Sequence, residues 1–205
     1  MGTEKFYLKK LNLIKPSIFL FLILNSFSLI ACDISKIQFF LDQNITFQVT
    51  YEQNFNDSSD LIVGNIYRDY AKIKVSSSVP KEELIINKNK IFRHDLEMDQ
   101  LIIEETGEST NQSPAFFLFN KPSLICDFFS KVNCSDESCL YSDPLDNFYL
   151  KNIKIDFENK KIKKIIYEDL FERISTVDLF KYEQLDKKVS FEPKVSDETE
   201  KIFLN

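Results

Sequence analysis

The alternation of apolar and polar residues along most of the chain predicts β-strands. From Ile45 to Glu52 every second residue is apolar or aromatic, which is the period of a strand with one buried face. Similar short runs follow, separated by polar turn residues. They cover residues 61–67, 73–75, 83–86, 90–93, 101–104, 148–157, 162–167, 174–180 and 187–191. Short strands in this arrangement predict an antiparallel sheet that curls into a barrel or a sandwich.

Two stretches depart from this period and predict short helices. Residues 34–41 place apolar side chains at helical spacing, after Asp33 or Ser35 as a candidate N-cap. Ser113-Pro114-Ala115 precedes a very apolar run, and proline is common in the first turn of a helix. No repeat, linker or second domain is visible, so we expect a single domain.

The first 31 residues have the pattern of a secretory signal peptide. Lysines precede an apolar run over residues 17–31, which is shorter than the ~18–20 residues of a membrane-spanning helix. We therefore predict a signal peptide over residues 1–31 and an exported domain over residues 32–205, with an uncleaved anchor helix as the alternative.

Leu29-Ile30-Ala31-Cys32 also resembles a lipobox, in which Cys32 would carry lipid. Ser26-Phe27-Ser28 instead suits ordinary signal peptidase, and we favour a soluble mature protein.

Composition and charge exclude two broad classes of function. The net charge is −6, and four lysines belong to the predicted signal peptide, so the exported part is more acidic than the whole chain. An acidic domain lacks the basic surface that nucleic acids require. The chain has only three glycines, too few for the glycine-rich loops that hold phosphate groups.

Several short motifs follow one another along the chain. In order they are Phe47–Gln53, Gly64–Arg68, Pro80, His94–Gln100, Ser113-Pro114-Ala115, Asp169 and Phe191-x-Pro193. Together they resemble the family of periplasmic outer-membrane lipoprotein carriers, the LolA family, and the resemblance covers about residues 35 to 197. The pattern departs at Asp69, where the family usually has proline after the arginine, and at Glu172 and Lys194, where it has glycine.

The resemblance implies a fold and a function. The expected fold is mainly β, a half-open antiparallel barrel of about eleven strands with short helices that form a lid. The expected function is to bind the acyl chains of lipoproteins in an apolar cavity and to carry them across the periplasm, without catalysing a reaction. It implies an inner-membrane lipoprotein-releasing ABC transporter as donor and an outer-membrane receptor as acceptor, with no cofactor. We expect the carrier to be a monomer.

The resemblance and the alternation together nominate residues that line the cavity. The strand positions are Phe47, Val49, Tyr51, Ile66, Ile73, Val75, Ile86 and Phe92, and the lid positions are Phe116, Phe117 and Leu118. The alternative is that many of them simply fill a packed core, because alternation does not distinguish a filled interior from a cavity.

Arg68 is the candidate for control of the lid. In the family, the matching arginine donates hydrogen bonds to carbonyl groups of the lid helix, and that contact opens and closes with loading and release. A surface arginine paired with Asp69 or Glu97 is the alternative. We expect Arg68→Leu to weaken lipoprotein transfer while leaving the fold intact.

The remaining candidate chemistry is weaker. His94 lacks ligands at metal spacing and an evident nucleophile, so we expect a structural histidine and no metal site. Cys134 and Cys139 flank a short turn and predict a disulfide in an exported protein, with a zinc site as a weak alternative. We expect Cys126 to remain buried and unpaired.

Two other functions remain as alternatives. If Cys32 is lipidated, the protein would be a membrane-anchored lipoprotein receptor or a tethered lipid-binding protein. A secreted hydrolase is the third possibility, but it would need a nucleophile near His94.

Overall fold

The computed structural model describes residues 32–56, 60–87, 89–105, 118–145 and 148–204. The predicted signal peptide lies outside the described residues, as does the start of the predicted second helix. No helix in the described part of the chain is long and apolar enough to span a bilayer.

The described residues form one open sheet with two short α-helices, and Leu118 and Phe119 are also helical. The helices are α1 (Ser35–Gln43) and α2 (Ile125–Phe128), and a 3₁₀-helix (Pro122–Leu124) precedes α2. The strands are β1 (Thr46–Phe55), β2 (Leu61–Asp69), β3 (Lys72–Ser77), β4 (Glu82–Asn87), β5 (Lys90–Asp95), β6 (Gln100–Glu105), β7 (Phe129–Cys134), β8 (Ser138–Pro144), β9 (Leu150–Glu158), β10 (Lys161–Asp169), β11 (Ile174–Glu183) and β12 (Glu200–Leu204).

The sheet does not close on itself. Its order is β12-β6-β5-β4-β3-β2-β1-β11-β10-β9-β8-β7, so β12 and β7 are its two edges. Neighbouring strands are antiparallel, except that β12 runs parallel to β6. This confirms the predicted half-open, mainly β barrel, with twelve strands among the described residues where about eleven were expected.

The side of the sheet that α1 covers is called here the inner face. Phe47 and Val49 of β1 point to it, and Ile37, Phe40 and Leu41 of α1 are buried in the same core cluster. Tyr141 of β8 donates a hydrogen bond to the Asp33 carbonyl (2.8 Å), which ties the chain before α1 to the sheet. Tertiary contacts of this kind explain why so short a helix is stable.

The two ends of the sheet differ in what they carry. At the helix end, α1 leads into β1, and the turns 69–72 and 158–161 lie there. At the opposite end, called here the far end, lie the turns 77–82, 95–100 and 169–174. These two ends define the direction along the inner face.

Most of the predicted elements are present, but one strand prediction is wrong. Residues 187–191 are not a strand. They belong to the connection that runs along the outer face from β11 to β12, where Asn87 donates to the Phe191 carbonyl (3.3 Å). The apolar side chain of Phe191 is buried there, so packing rather than pairing accounts for the pattern. Three further strands, β7, β8 and β12, were not predicted.

Gly64 is required for the close packing of β1, β2 and β3. A Cβ atom at this position would lie 1.9 Å from the Ser76 carbonyl oxygen and 2.7 Å from Cε1 of Tyr51. Both distances are below any real contact of a Cβ atom, and the first neighbour is backbone. Glycine therefore lets the Tyr51 ring lie directly against β2.

We expect Gly64→Ala to lower the free energy of unfolding by about 3 kcal/mol, because β3 and Tyr51 must both move to admit the methyl group. Urea unfolding followed by circular dichroism measures the change. Leu61→Ala is the control, since Leu61 is in the same strand but exposed. Equal stability of the two variants would contradict this account of Gly64.

Candidate functional site

The inner face near the helix end is a closed apolar interior. Cross-strand pairing places Val49 beside Ile66 and Ile73 beside Ile86, and all four are buried. Phe47 contacts the ring of Phe40 from α1, with the ring centroids 5.6 Å apart. In this structure α1 therefore fills the space that five of the predicted cavity residues surround.

The other predicted lining residues have different positions. Tyr51 and Val75 lie farther along the inner face and border an open cavity of about 400 Å³. Phe92 pairs with Ile85 and not with Ile86, so it points to the outer face and does not line the interior. Leu118 is fully buried. Phe116 and Phe117 lie outside the described residues.

Arg68 joins α1 to the segment that contains Phe119. Its Nε donates to the Phe119 carbonyl (3.0 Å). Its Nη1 donates to the carbonyls of Leu41 (3.1 Å), Asn44 (2.7 Å) and Ile45 (3.3 Å). These last carbonyls belong to the end of α1 and the residues after it, where a helix leaves its carbonyl groups without internal partners.

The environment of Arg68 suits a fixed cation. The side chain is 9% exposed and lies at the negative end of the α1 dipole. Burial lowers the pKa of the Arg68 guanidinium, and the nearby carboxylate of Asp42 opposes this effect. Arginine starts from so high a pKa that it keeps its charge. One side chain thus satisfies carbonyl groups from two separate segments, the end of α1 and the segment that contains Phe119.

The open cavity lies at the far end of the inner face and has a mixed lining. Apolar side chains include Ile62, Val75 and Leu84, and polar ones include Gln53 and Arg93. This half of the inner face is not covered by α1, whose contacts lie at the helix end. The cavity is therefore the part of the predicted lipid site that is accessible in this structure.

Tyrosines form a second layer beside this cavity. Gln53 donates to the Tyr167 hydroxyl (2.7 Å). Burial raises the pKa of Tyr51 to about 12, with smaller contributions from the charge of Glu82 and from Tyr167. Burial also raises the pKa of Tyr149, which the charge of Arg93 partly offsets. These phenols therefore remain neutral at physiological pH.

His94 has a structural position on the outer face. It is buried, and its Nε2 lies 3.3 Å from Oδ1 of Asp99. Asp99 also accepts hydrogen bonds from Ser196 (2.9 Å) and Thr199 (2.8 Å), just before β12. Within the described ranges, no group of three or more His, Cys, Asp or Glu side chains is placed to hold a metal ion.

All four cysteines form disulfides. Cys134 is joined to Cys139 across the β7–β8 turn, and Cys32 is joined to Cys126. The expectation that Cys126 stays unpaired is therefore wrong. The pairing follows from the topology. The chain before α1 passes α2, and this brings together Cys32 and Cys126, which are 94 positions apart in the sequence. A sulfur atom in a disulfide cannot also carry a thioether-linked lipid.

Two parts of this arrangement were not predicted from the sequence. The hydrogen bonds from Arg68 to the end of α1 have no local sequence signal, because their acceptors are backbone carbonyls. The polar lining at Gln53 and Arg93 had a weak sequence signal. Each of these polar residues stands within a predicted strand, at a position where the alternation predicts an apolar residue.

Comparison with known proteins supports the fold alone. No protein-family model matches the chain, and no curated protein matches it. An uncharacterized conserved protein from Thermus thermophilus is similar in structure, with a TM-score of 0.54 and 8% identity over 82% of this chain and 98% of that chain. This likeness shows a shared architecture and does not indicate a function.

Two weaker similarities were also found. A LolA superfamily protein from Nitrosomonas europaea has a TM-score of 0.38 and 13% identity over 69% of this chain and 86% of that chain. A putative outer membrane lipoprotein-sorting protein domain from Vibrio parahaemolyticus has a TM-score of 0.37 and 9% identity over 71% of this chain and 87% of that chain. At these scores neither similarity supports a functional argument.

Proposed function

We propose that this protein is a periplasmic carrier that binds the acyl chains of lipoproteins on the inner face of its sheet. The observation that supports the proposal best is the way the apolar interior is closed. α1 and Phe119 cover it, and Arg68 donates hydrogen bonds to both. Release of one side chain would therefore free two covering segments and expose a continuous apolar surface.

The energetics require such a surface. Each methylene group that is moved from water to an apolar environment contributes about 0.8 kcal/mol. Acyl chains therefore cross an aqueous compartment only inside a protein. A carrier must also return them without an energy source of its own. A lid that packs on the empty interior serves both needs, because the lid and the acyl chains compete for the same apolar surface.

The proposal includes the partners that the sequence resemblance implies. The carrier receives lipoproteins from an inner-membrane ABC transporter and passes them to an outer-membrane receptor, as a monomer and without catalysing a reaction. Disulfides form in oxidising compartments such as the periplasm, so the two disulfides agree with export. The charge of the exported part, which is acidic, does not favour a nucleic acid as partner.

The anchored alternative is less favoured. A membrane-bound receptor would need a thioether-linked lipid on the sulfur of Cys32, but this sulfur is bonded to Cys126. The secreted hydrolase has no support from a free cysteine, because the two disulfides together use all four cysteines.

Co-production with a lipoprotein tests the proposal. We expect an acylated lipoprotein to be recovered with the carrier in the soluble periplasmic fraction, and the same lipoprotein with its acylated cysteine replaced by serine not to be recovered. Ile62→Glu, at the opening of the cavity, should reduce recovery severalfold, because a carboxylate would be buried beside the acyl chains.

Leu61→Glu is the matched control, since this neighbouring residue is exposed and outside the cavity lining. Recovery of the unacylated lipoprotein at the same level, or absence of the acylated one from the soluble fraction, would rule out a lipoprotein carrier.

A further inference from the structure

The inner face changes from apolar to polar along the strands towards the far end. On most strands of this part of the sheet, an inner-face residue near the far-end turns is polar, and the inner-face residue before it, towards the helix end, is apolar or aromatic. The pairs, apolar or aromatic member first, are Tyr51 and Gln53, Val75 and Ser77, Leu84 and Glu82, Ile102 and Gln100, and Val177 and Ser175. The pairs lie on five of the seven neighbouring strands from β6 to β11. The exceptions are β2, which has Gly64 and Ile62 there, and β5, which has Arg93 and Asp95, and on β1 the inner-face residue Phe55 follows Gln53.

The open cavity of about 400 Å³ lies where this change occurs. Its lining includes both members of several pairs, so one side is apolar and the other carries amide, hydroxyl and carboxylate groups. Arg93 is at the boundary: it lies beside Leu84 and Ile102 in the sheet, and its Nε is 3.3 Å from Oε1 of Glu104. A surface with this division matches an amphiphile and not a purely apolar ligand.

We propose that this polar band binds the diacylglyceryl-cysteine head of a lipoprotein, with the acyl chains directed towards α1 and the attached protein leaving at the far end. The inference rests on the proposed function and adds a direction and a head-group site to it. The helix end is blocked by α1 and the hydrogen bonds of Arg68, so the attached protein has no exit there.

The chemistry of the band fits this head group. Arg93 and the side-chain amides of Gln53 and Gln100 are donors for the ester and amide carbonyls of an acylated cysteine. Glu82 and Asp95, which are cross-strand neighbours, are acceptors for its N–H groups. Because carboxylates outnumber the single arginine, the band disfavours an anionic phospholipid head.

Binding of three defined probes tests the head-group site: a synthetic diacylglyceryl-cysteine peptide, hexadecane and phosphatidylglycerol. We expect Arg93→Met and Gln53→Leu each to weaken binding of the peptide about tenfold, which corresponds to the loss of one hydrogen bond from a charged or amide donor. Hexadecane should bind all variants within about twofold of the wild type, because it has no polar group and contacts only the apolar part.

Gln48→Leu is the matched control, because Gln48 is in the same strand as Gln53 but alternates to the other face, where it donates to Glu183 (2.8 Å). Equal losses for the peptide and for hexadecane, or an equal loss in Gln48→Leu, would overturn the head-group site. So would phosphatidylglycerol binding as tightly as the peptide. Failure of every probe to bind the wild type would instead contradict the proposed carrier function.

Photo-crosslinking of the wild-type protein tests the direction without relying on a variant that must fold. A photoreactive residue directly after the acylated cysteine of the peptide should label the far-end turns 95–100 or 169–174. Labelling of the helix-end turns 69–72 or 158–161 would reverse the direction and overturn the inference.

Discussion

Replacing Arg68 with leucine is expected to lower the free energy of unfolding by about 3 kcal/mol, because it leaves several buried carbonyl groups without a donor. The guanidinium makes four hydrogen bonds to backbone carbonyls, and no other described side chain donates to the Leu41 or Phe119 carbonyl. Leucine fills the space but donates nothing. An intact fold is expected from the sequence alone, and these contacts add a loss of stability to the expected loss of lipoprotein transfer.

Urea unfolding measures the stability, and hydrogen exchange of residues 35–43 measures whether α1 detaches. In Arg68→Leu, exchange in α1 should become faster than in the β1–β2 hairpin. In lipoprotein co-production, the variant should retain cargo but pass it on poorly, because the empty, closed state that favours release has been weakened.

Two further variants separate the contribution of the hydrogen bonds from that of the charge. Arg68→Lys keeps the charge but reaches fewer carbonyls from a single ammonium group, so it should lie between leucine and the wild type. Arg173→Leu is the control: Arg173 pairs with Asp169 on the surface (2.6 Å), where such a pair contributes under ~1 kcal/mol. If Arg68→Leu were as stable as Arg173→Leu, and hydrogen exchange in α1 were unchanged, the role of Arg68 as the lid contact would be contradicted.

The sequence predicted the strands of β1 to β6 well because their alternation is strict and their turns are polar. It placed Val49, Ile66 and Ile73 on the same face, and the pairing of β1, β2 and β3 agrees. The pairing places Phe92 on the other face from the one predicted. Ile91 and Phe92 are adjacent and both apolar, so the period does not show which of them points inward. The register with β4 assigns Ile91 to the inner face.

Other features depend on tertiary structure and have no local signal. Ile85 and Ile86 are both fully buried, because the sheet is covered on both faces at β4, and a two-residue period disappears where this happens. The closed apolar interior also has no local sequence signal. The sequence nominated lining residues, but only packing against α1 shows that the helix end is filled and the far end is open.

Of the two disulfides, the one between Cys32 and Cys126 should contribute more to the free energy of unfolding. It closes a loop with a sequence separation of 94, whereas Cys134–Cys139 closes one with a separation of 5. The loop-entropy model gives about 4–5 kcal/mol for the long loop and about 2 kcal/mol for the short one. The long-range bond also fixes the chain before α1 to α2, so its loss should loosen the lid.

Two double variants measure this difference, one with Cys32 and Cys126 both replaced by serine and one with Cys134 and Cys139 both replaced. We expect the first to lose about 2 kcal/mol more in urea unfolding than the second, and to show faster hydrogen exchange in α1.

Intact-mass analysis of the exported wild-type protein should find two disulfides and no added lipid. A diacylglyceryl group on Cys32 would exclude the disulfide outright, since one sulfur cannot form both bonds, and it would make the anchored receptor the correct function.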